Sequence, residues 1–495
     1  MRSWTKPRLL LAGGALAVVA LLMRVWGLAT ANELFIDEVT YSRLALSAGR
    51  GEWPNLAGQP FYLHPPLTFW LNGGVSRLFG LSPDPTSLVF QLRWVNAVLG
   101  VAVVVLAFTL LLRLTRPVIA LVGGLVLAAD PFVLRNDGRV MLETPAFALV
   151  LAGWLCLLVG LDRPGGRARR AYLVAGGLLI GLAILAKDVT LVPGLLPVLL
   201  AVLWRRTIQP RTAALVIGTG LLPYAGYLVA LAFAGRFGQW WLAKVGGLRR
   251  MAGLDQVSGF NSGSSPSLLD ALLGQLSRFG TSYVLLGLAL PAGLLALLSA
   301  RGDRRLVGLF ASLMGLLGLF SLGFGTLEEQ MGYFVVVPGV LALGITFAEP
   351  PRWLAKVRPA LVAAAALVLV AGLGFGIHAR SVTDNGYQQA RAWLDSQLPP
   401  GSRVGLTTPT AQFALHSGEG RNLRVGTWAS VGALHRFRAG YVLTQSRPLS
   451  QGYGYASPDL LPWLRAHAKP VFTANGPTGG ATVVWQLDPA ALTSP

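Results

Sequence analysis

The sequence predicts a polytopic α-helical membrane protein of about eleven spans with a small α/β domain at its C-terminal end. Three observations predict it. Of 495 residues, 53% are hydrophobic and only 13% charged, about half the charged share of a soluble domain. Apolar runs of span length, roughly 17–25 residues, recur until about residue 380. Beyond that point the composition becomes that of a soluble domain.

The net charge of +20 does not indicate a nucleic-acid partner, because the basic residues sit in short clusters between apolar runs. That distribution belongs to membrane topology. The single cysteine, Cys156, lies in an apolar run, which excludes a disulfide framework and a Cys-based metal site within one chain.

The first apolar segment, 9–29, follows Arg2, Lys6 and Arg8. Its length and the lack of a small-residue cleavage pattern favour a retained span over a signal peptide. The remaining expected spans are 93–112, 117–134, 141–161, 171–187, 188–204, 212–234, 279–299, 306–325, 331–348 and 359–378. With the N-terminus cytoplasmic, inner segments hold Arg113 and Arg116; Arg163, Arg167, Arg169 and Arg170; Arg205, Arg206 and Arg211; Arg301, Arg304 and Arg305; and Arg352, Lys356 and Arg358. Short outer turns hold only Arg135, Arg139 and Lys187. This asymmetry fits the positive-inside rule and puts the C-terminus outside.

Two outer loops are long, 30–92 and 235–278. The first contains two stretches, 37–48 and 67–79, that read as interfacial helices. The second pairs Trp240-Trp241 with Lys244 and Arg249-Arg250, which suits a headgroup-level element, and continues into a Ser/Gly-rich run from Ser258 to Ser267. The chain thus divides into a membrane region, 1–380, and an extracytoplasmic α/β domain, 381–495. In the latter a helix is expected over Tyr387–Leu398 and another over Pro458–His467. Strands are expected at Arg403–Leu406, Tyr441–Thr444, Val471–Ala474 and Thr482–Leu487.

Candidate chemistry gathers on the outer face. Asp37-Glu38 lies just beyond the first span, where carboxylates are costly to desolvate. The pair reads as a helix N-cap, as a general base, or as both. Tyr62, His64 and the rigid Pro65-Pro66 follow. Arg139 and Glu143, four residues apart, are expected on one helical face, forming a local ion pair or facing a ligand. Lys187 at a span end either snorkels harmlessly or binds phosphate as a point charge.

These residues and their neighbours carry a resemblance to a known group. Arg24, Asp37-Glu38 with Tyr41, His64-Pro65-Pro66-Leu67, Arg93, Arg139 with Glu143, Lys187 and the segment Met331-Gly332-Tyr333-Phe334 to Pro338 occur in a characteristic order. The order resembles that of the protein O-mannosyltransferase and aminoarabinose transferase superfamily, polyprenyl-phosphate-sugar-dependent membrane glycosyltransferases of the GT-C fold. The sequence departs from the pattern at His64, where some relatives have Lys, at Gly332-Tyr333 in place of Arg-Tyr, and at Glu143, where Asp is frequent.

The resemblance implies transfer of a sugar from a polyprenyl-phosphate carrier to a glycan, lipid or protein acceptor outside the plasma membrane. It implies Asp37 as base in a single inverting displacement, with Glu38 orienting the site. Lys187 and Arg139 would neutralise the lipid phosphate, and His64 and Tyr62 would line the pocket. Tyr41, Arg24, Arg93, Glu143 and Tyr333 are further site candidates. No cofactor or metal is expected. Two rivals are a flippase for lipid-linked glycans, disfavoured by the lack of internal repeats, and a non-catalytic envelope assembly protein.

Overall fold

The computed structural model describes residues 4–203, 207–255, 267–416, 423–450, 454–457 and 459–492. Arg205, Arg206 and the Ser/Gly-rich run up to residue 266 therefore lie outside the described residues. Among those described, nine helices are long and apolar enough to cross a membrane. All nine coincide with expected spans, from Lys6–Val25 to Arg358–Ser381. The two other expected spans are interrupted, each at a proline.

The expected span 117–134 is a pair of helices, Pro117–Ala129 and Pro131–Asp137, bent by 62°. Pro131 has no N–H to continue the first helix. Asp130 then caps the second by accepting from the backbone N–H groups of Phe132 (3.1 Å) and Val133 (2.9 Å). The expected span 188–204 is broken into Asp188–Thr190, Leu191–Gly194 and Leu196–Leu203. Pro197 opposes helix continuity past the carbonyl of residue 193. The Pro193 carbonyl instead accepts the indole N–H of Trp154 at 2.9 Å.

The central helix Glu143–Leu161 is mostly buried; Trp154 stacks on Phe310 with ring centroids 5.2 Å apart. Beside it runs Gly166–Ala186, which meets Pro210–Phe233 through glycines. A Cβ at Gly181 would strike the Gly220 carbonyl. This small-residue contact lets helix backbones approach closely in lipid, and it fixes where Lys187, just past the helix end, emerges.

The loop 30–92 forms helices Ile36–Gly49 and Leu67–Leu78, close to expectation. The C-terminal region forms a five-stranded sheet and several helices, among them the two expected, Gly386–Gln397 and Leu460–His467. Its strand order is Arg424–Gly426, Arg403–Leu406, Tyr441–Gln445, Gly480–Leu487, Ala468–Gly476. The first three are parallel and the last two join antiparallel. Leu34, Val39, Tyr41 and Phe69 of that loop share one hydrophobic cluster with Tyr387, Leu394, Val404, Leu443 and Val484. The soluble region is therefore packed onto the loop that carries Asp37. Arg380 Nε donating to the Trp26 carbonyl (2.8 Å) and the Asp384 N–H donating to the Thr30 carbonyl (2.7 Å) secure the junction.

Candidate active site

Adjacent in sequence, Asp37 and Glu38 have opposite environments. The Glu38 side chain is fully buried and paired with Arg93. Its Oε1 accepts from Arg93 Nε (2.9 Å) and the Val140 N–H (3.0 Å), and its Oε2 from Arg93 Nη2 (2.9 Å) and the Phe35 N–H (3.2 Å). The last bond is one half of a capping box, a side chain three residues in satisfying an orphan backbone donor. The N-cap position belongs to Phe35, whose ring accepts nothing, so the expected N-cap role of Asp37 is corrected: it is the second residue of the helix and caps no backbone group. Arg93 also donates to the Leu28 and Asn32 carbonyls, both at 3.1 Å. Glu38 is thus the anchor that holds this helix against the membrane domain.

A second buried network centres on Asp137. Arg24 donates to its Oδ2 from Nε (2.9 Å) and Nη2 (2.7 Å), while the Thr144 and Tyr333 hydroxyls donate to Oδ1 at 2.8 and 2.9 Å. Arg24 and Tyr333, both sequence candidates, are engaged here rather than with Asp37. Asp137 itself went unnoticed in the sequence, although it sits beside Arg139.

Asp37, one residue before Glu38, is partly buried, and among the described residues its carboxylate has no hydrogen bond or ion pair. Burial first, then the charge of Glu328, pushes its pKa up to about 7, with Lys187 and Arg250 pulling the other way and Glu143 adding to the rise. Such a value suits proton transfer near neutral pH. Around it stand two ion pairs. Lys187 Nζ pairs with buried Glu143, whose Oε2 has no hydrogen-bond partner. Arg250 Nη2 lies 3.4 Å from Glu328 Oε1, and Arg250 Nε has no partner.

His64 packs edge-on to Tyr41 with ring centroids 5.8 Å apart. Burial, then the charges of Lys187, Lys244 and Arg250, hold its pKa well below the ordinary value, so the ring is neutral near pH 7. Burial, then Asp37, pushes the Tyr41 hydroxyl well above its usual range. Tyr62 is buried among Trp53, Leu185, Tyr227 and Trp240, and its hydroxyl has no partner. Lys244 Nζ pairs with Asp188 at 2.6 Å and donates to the Leu63 carbonyl at 2.9 Å, tying the helix Phe237–Met251 to the Pro-Pro loop.

The expectation that Arg139 and Glu143 share a helical face is corrected. The helix begins at Glu143, and residues 138–142 are not helical. Glu143 turns to Lys187. Arg139 Nη1 lies 3.6 Å from Glu329 Oε1, to which Arg135 Nε also pairs at 2.8 Å. The Arg139 guanidinium stands 5.1 Å from the Phe35 ring centroid, with Nε and Nη2 buried and without hydrogen-bond partners. Two further residues that the sequence reading overlooked join the site, Glu328 and Glu329. They form a second acidic pair just before the helix Met331–Ala348, the same signal that singled out Asp37-Glu38. Among the described residues no group of three or more His, Cys, Asp or Glu side chains is arranged to hold a metal.

This fold is that of the GT-C membrane glycosyltransferases, as the resemblance in the sequence implies. Residues 14–243 match the family described as Dolichyl-phosphate-mannose-protein mannosyltransferase. ArnT from Cupriavidus metallidurans, in a crystal structure bound to undecaprenyl phosphate, superposes with a TM-score of 0.55 at 18% identity, covering 98% of each chain. The oligosaccharyltransferase AglB from Archaeoglobus fulgidus, solved with an inhibitory peptide and a dolichol-phosphate, superposes with a TM-score of 0.56 at 12% identity, covering 97% of this chain and 74% of that one. Among curated protein sequences, none matches this chain.

Proposed function

We propose that this protein transfers a sugar from a polyprenyl-phosphate donor to an acceptor on the outer face of the membrane, with Asp37 as general base. The observation that carries the reading is the unpartnered Asp37 carboxylate, with a pKa of about 7, among Lys187, Arg250 and Glu143. The lipid phosphates bound by the structurally similar ArnT and AglB support the donor class.

In this mechanism Asp37 removes the proton of an acceptor hydroxyl as its oxygen attacks the anomeric carbon. The bond from that carbon to the phosphate oxygen breaks, the electron pair leaves on the lipid phosphate, and the configuration inverts. Lys187 and Arg250 face the growing negative charge. Arg250 is the readier of the two to move, since its contact with Glu328 is long and its Nε is free of partners. Glu143 fixes Lys187. Neutral His64 and Tyr62 line the donor side, and Arg139 supplies a further cation beside Phe35.

The pH dependence follows from the sign of the Asp37 shift. A base acts only when deprotonated, so kcat/KM for transfer rises through about pH 7 and levels above it. Glu328→Gln removes the largest charge that raises the pKa, so the rising limb moves to lower pH. A profile that is flat through that region in the purified protein contradicts the assignment.

For Lys187 the expected result has two parts. Lys187→Ala strands buried Glu143 and destabilises the protein by about 3–5 kcal/mol. Lys187→Met combined with Glu143→Gln removes both charges, so it regains stability while the donor KM stays raised and the acceptor KM stays near that of the wild type. A wild-type donor KM in the double variant removes Lys187 from the phosphate site.

The same reading puts the C-terminal domain outside the plasma membrane, following the arginine bias of the opposite loops. A reporter that works only outside the cytoplasm, fused to the C-terminus, is expected to be active. Labelling of that domain from the cytoplasmic side only would reverse the topology.

A further inference from the structure

The helix Gly166–Ala186 reaches Lys187 and the candidate active site at one end. Its other end lies about 30 Å away, at 1.5 Å per residue over 21 residues. There it meets the start of Pro210–Phe233, and the two helices bound a cavity of about 220 Å³ lined by Gly166, Arg169, Arg170, Leu173, Arg211, Thr212 and Leu215. We propose that this cavity is a binding site for the phosphate of an anionic phospholipid, separate from the catalytic cleft.

Charge, backbone and shape agree on that ligand. Three arginines line one small cavity, and among the described residues none of them has an ion pair or a hydrogen bond. Guanidinium groups are well suited to phosphate oxygens, which they engage through paired N–H donors. Both helices begin beside the cavity, so the positive ends of their dipoles lie near it. Thr212, which is buried, adds a hydroxyl to the lining.

The apolar part of the lining argues for a lipid rather than a free anion. Leu173 sits about two turns into its helix and Leu215 about one and a half, on the way into the apolar layer. A ligand with a phosphate at the arginines and hydrocarbon along these leucines satisfies both halves of the site. Basic pockets between membrane helices on the arginine-rich side are suited to such headgroups. The cavity distinguishes this cluster from a simple topological signal: Arg301 and Arg352 also belong to the arginine-rich loops but line no part of it.

The test uses the purified full-length protein, stripped of endogenous lipid and titrated with phosphatidylglycerol, phosphatidylcholine or inorganic phosphate under native mass spectrometry. The wild type is expected to hold one phosphatidylglycerol in preference to phosphatidylcholine, and millimolar inorganic phosphate is expected not to displace it. Arg169→Ala with Arg211→Ala is expected to weaken that binding about tenfold or more, with thermal stability kept because Arg211 is exposed and Arg169 half-buried. Arg169→Lys with Arg211→Lys should retain part of the affinity. Arg301→Ala with Arg352→Ala should retain all of it. The proposal is overturned by equal binding of the two lipids, by displacement with inorganic phosphate, by an Ala pair that still binds, or by an equal loss in the Arg301/Arg352 variant.

Discussion

Asp37→Asn is expected to lower sugar transfer by about 10²–10⁴-fold, the usual cost of losing a general base, while the protein folds and binds the lipid donor. Asn keeps the size of the side chain, and Asp37 caps no backbone group whose partner the change would remove. Burial of the charged form raises the Asp37 pKa, so the carboxylate weakens the folded state as pH rises from its unfolded value near 4 through about 7. Removing the charge therefore leaves thermal stability above pH 7 equal or higher. A role limited to the helix dipole gives a different pattern: Asn and Ala both turn over normally and each loses at most about 1 kcal/mol. Transfer, donor binding and melting temperature measured on the same preparation separate the two.

The second large effect concerns Arg93. Arg93→Met leaves the fully buried Glu38 carboxylate without its counter-ion and is expected to cost about 3–5 kcal/mol. The Leu28 and Asn32 carbonyls lose their donor as well. Adding Glu38→Gln removes the stranded charge and should recover part of the stability, since the amide oxygen still accepts from the Phe35 N–H. Activity recovers less than stability, because the Glu38–Arg93 pair holds the helix on which Asp37 is presented. Thermal unfolding in detergent reads the first effect and transfer by the refolded fraction reads the second. An unchanged melting temperature in Arg93→Met contradicts the anchoring role.

Much of the architecture was legible from the chain alone, because a bilayer forces long apolar runs and a charge bias between them. The interruptions were less so. Hydropathy sees Pro117 to Asp137 as one run, whereas Pro131 after a capping Asp130 splits it into a bent pair. That bend carries Asp137 to Arg24, and the turn after it sends Arg139 to Glu329 instead of Glu143. Local spacing does not foresee a partner from another outer turn. In the C-terminal region the helices Gly386–Gln397 and Leu460–His467 and four of the strands were foreseen, whereas the short helices Pro409–His416 and Val431–Phe437 were not. The three-residue strand Arg424–Gly426 is too short to show an alternating pattern.

In the site, the acidic pair was visible, but the division of labour within it was not. Glu38 and Asp37 differ in their partners because Arg93 and Val140 arrive from distant segments to satisfy one carboxylate and leave the other open. Glu328-Glu329 gave the same adjacent-acid signal as Asp37-Glu38. Arg250 read as a headgroup contact because aromatic and apolar neighbours flank it. Its proximity to Asp37 depends on how the second outer loop returns over the first.

The central claim is that this protein consumes a polyprenyl-phosphate sugar through Asp37. Mass spectrometry of lipids from cells lacking the protein, and from the same cells supplied with wild type or Asp37→Asn at equal abundance, tests it most directly. A sugar-linked polyprenyl phosphate is expected to accumulate in the deletion strain and with Asp37→Asn, and to fall when wild type is restored. An unchanged pool of such lipids in the deletion strain, or full correction by Asp37→Asn, would contradict the account.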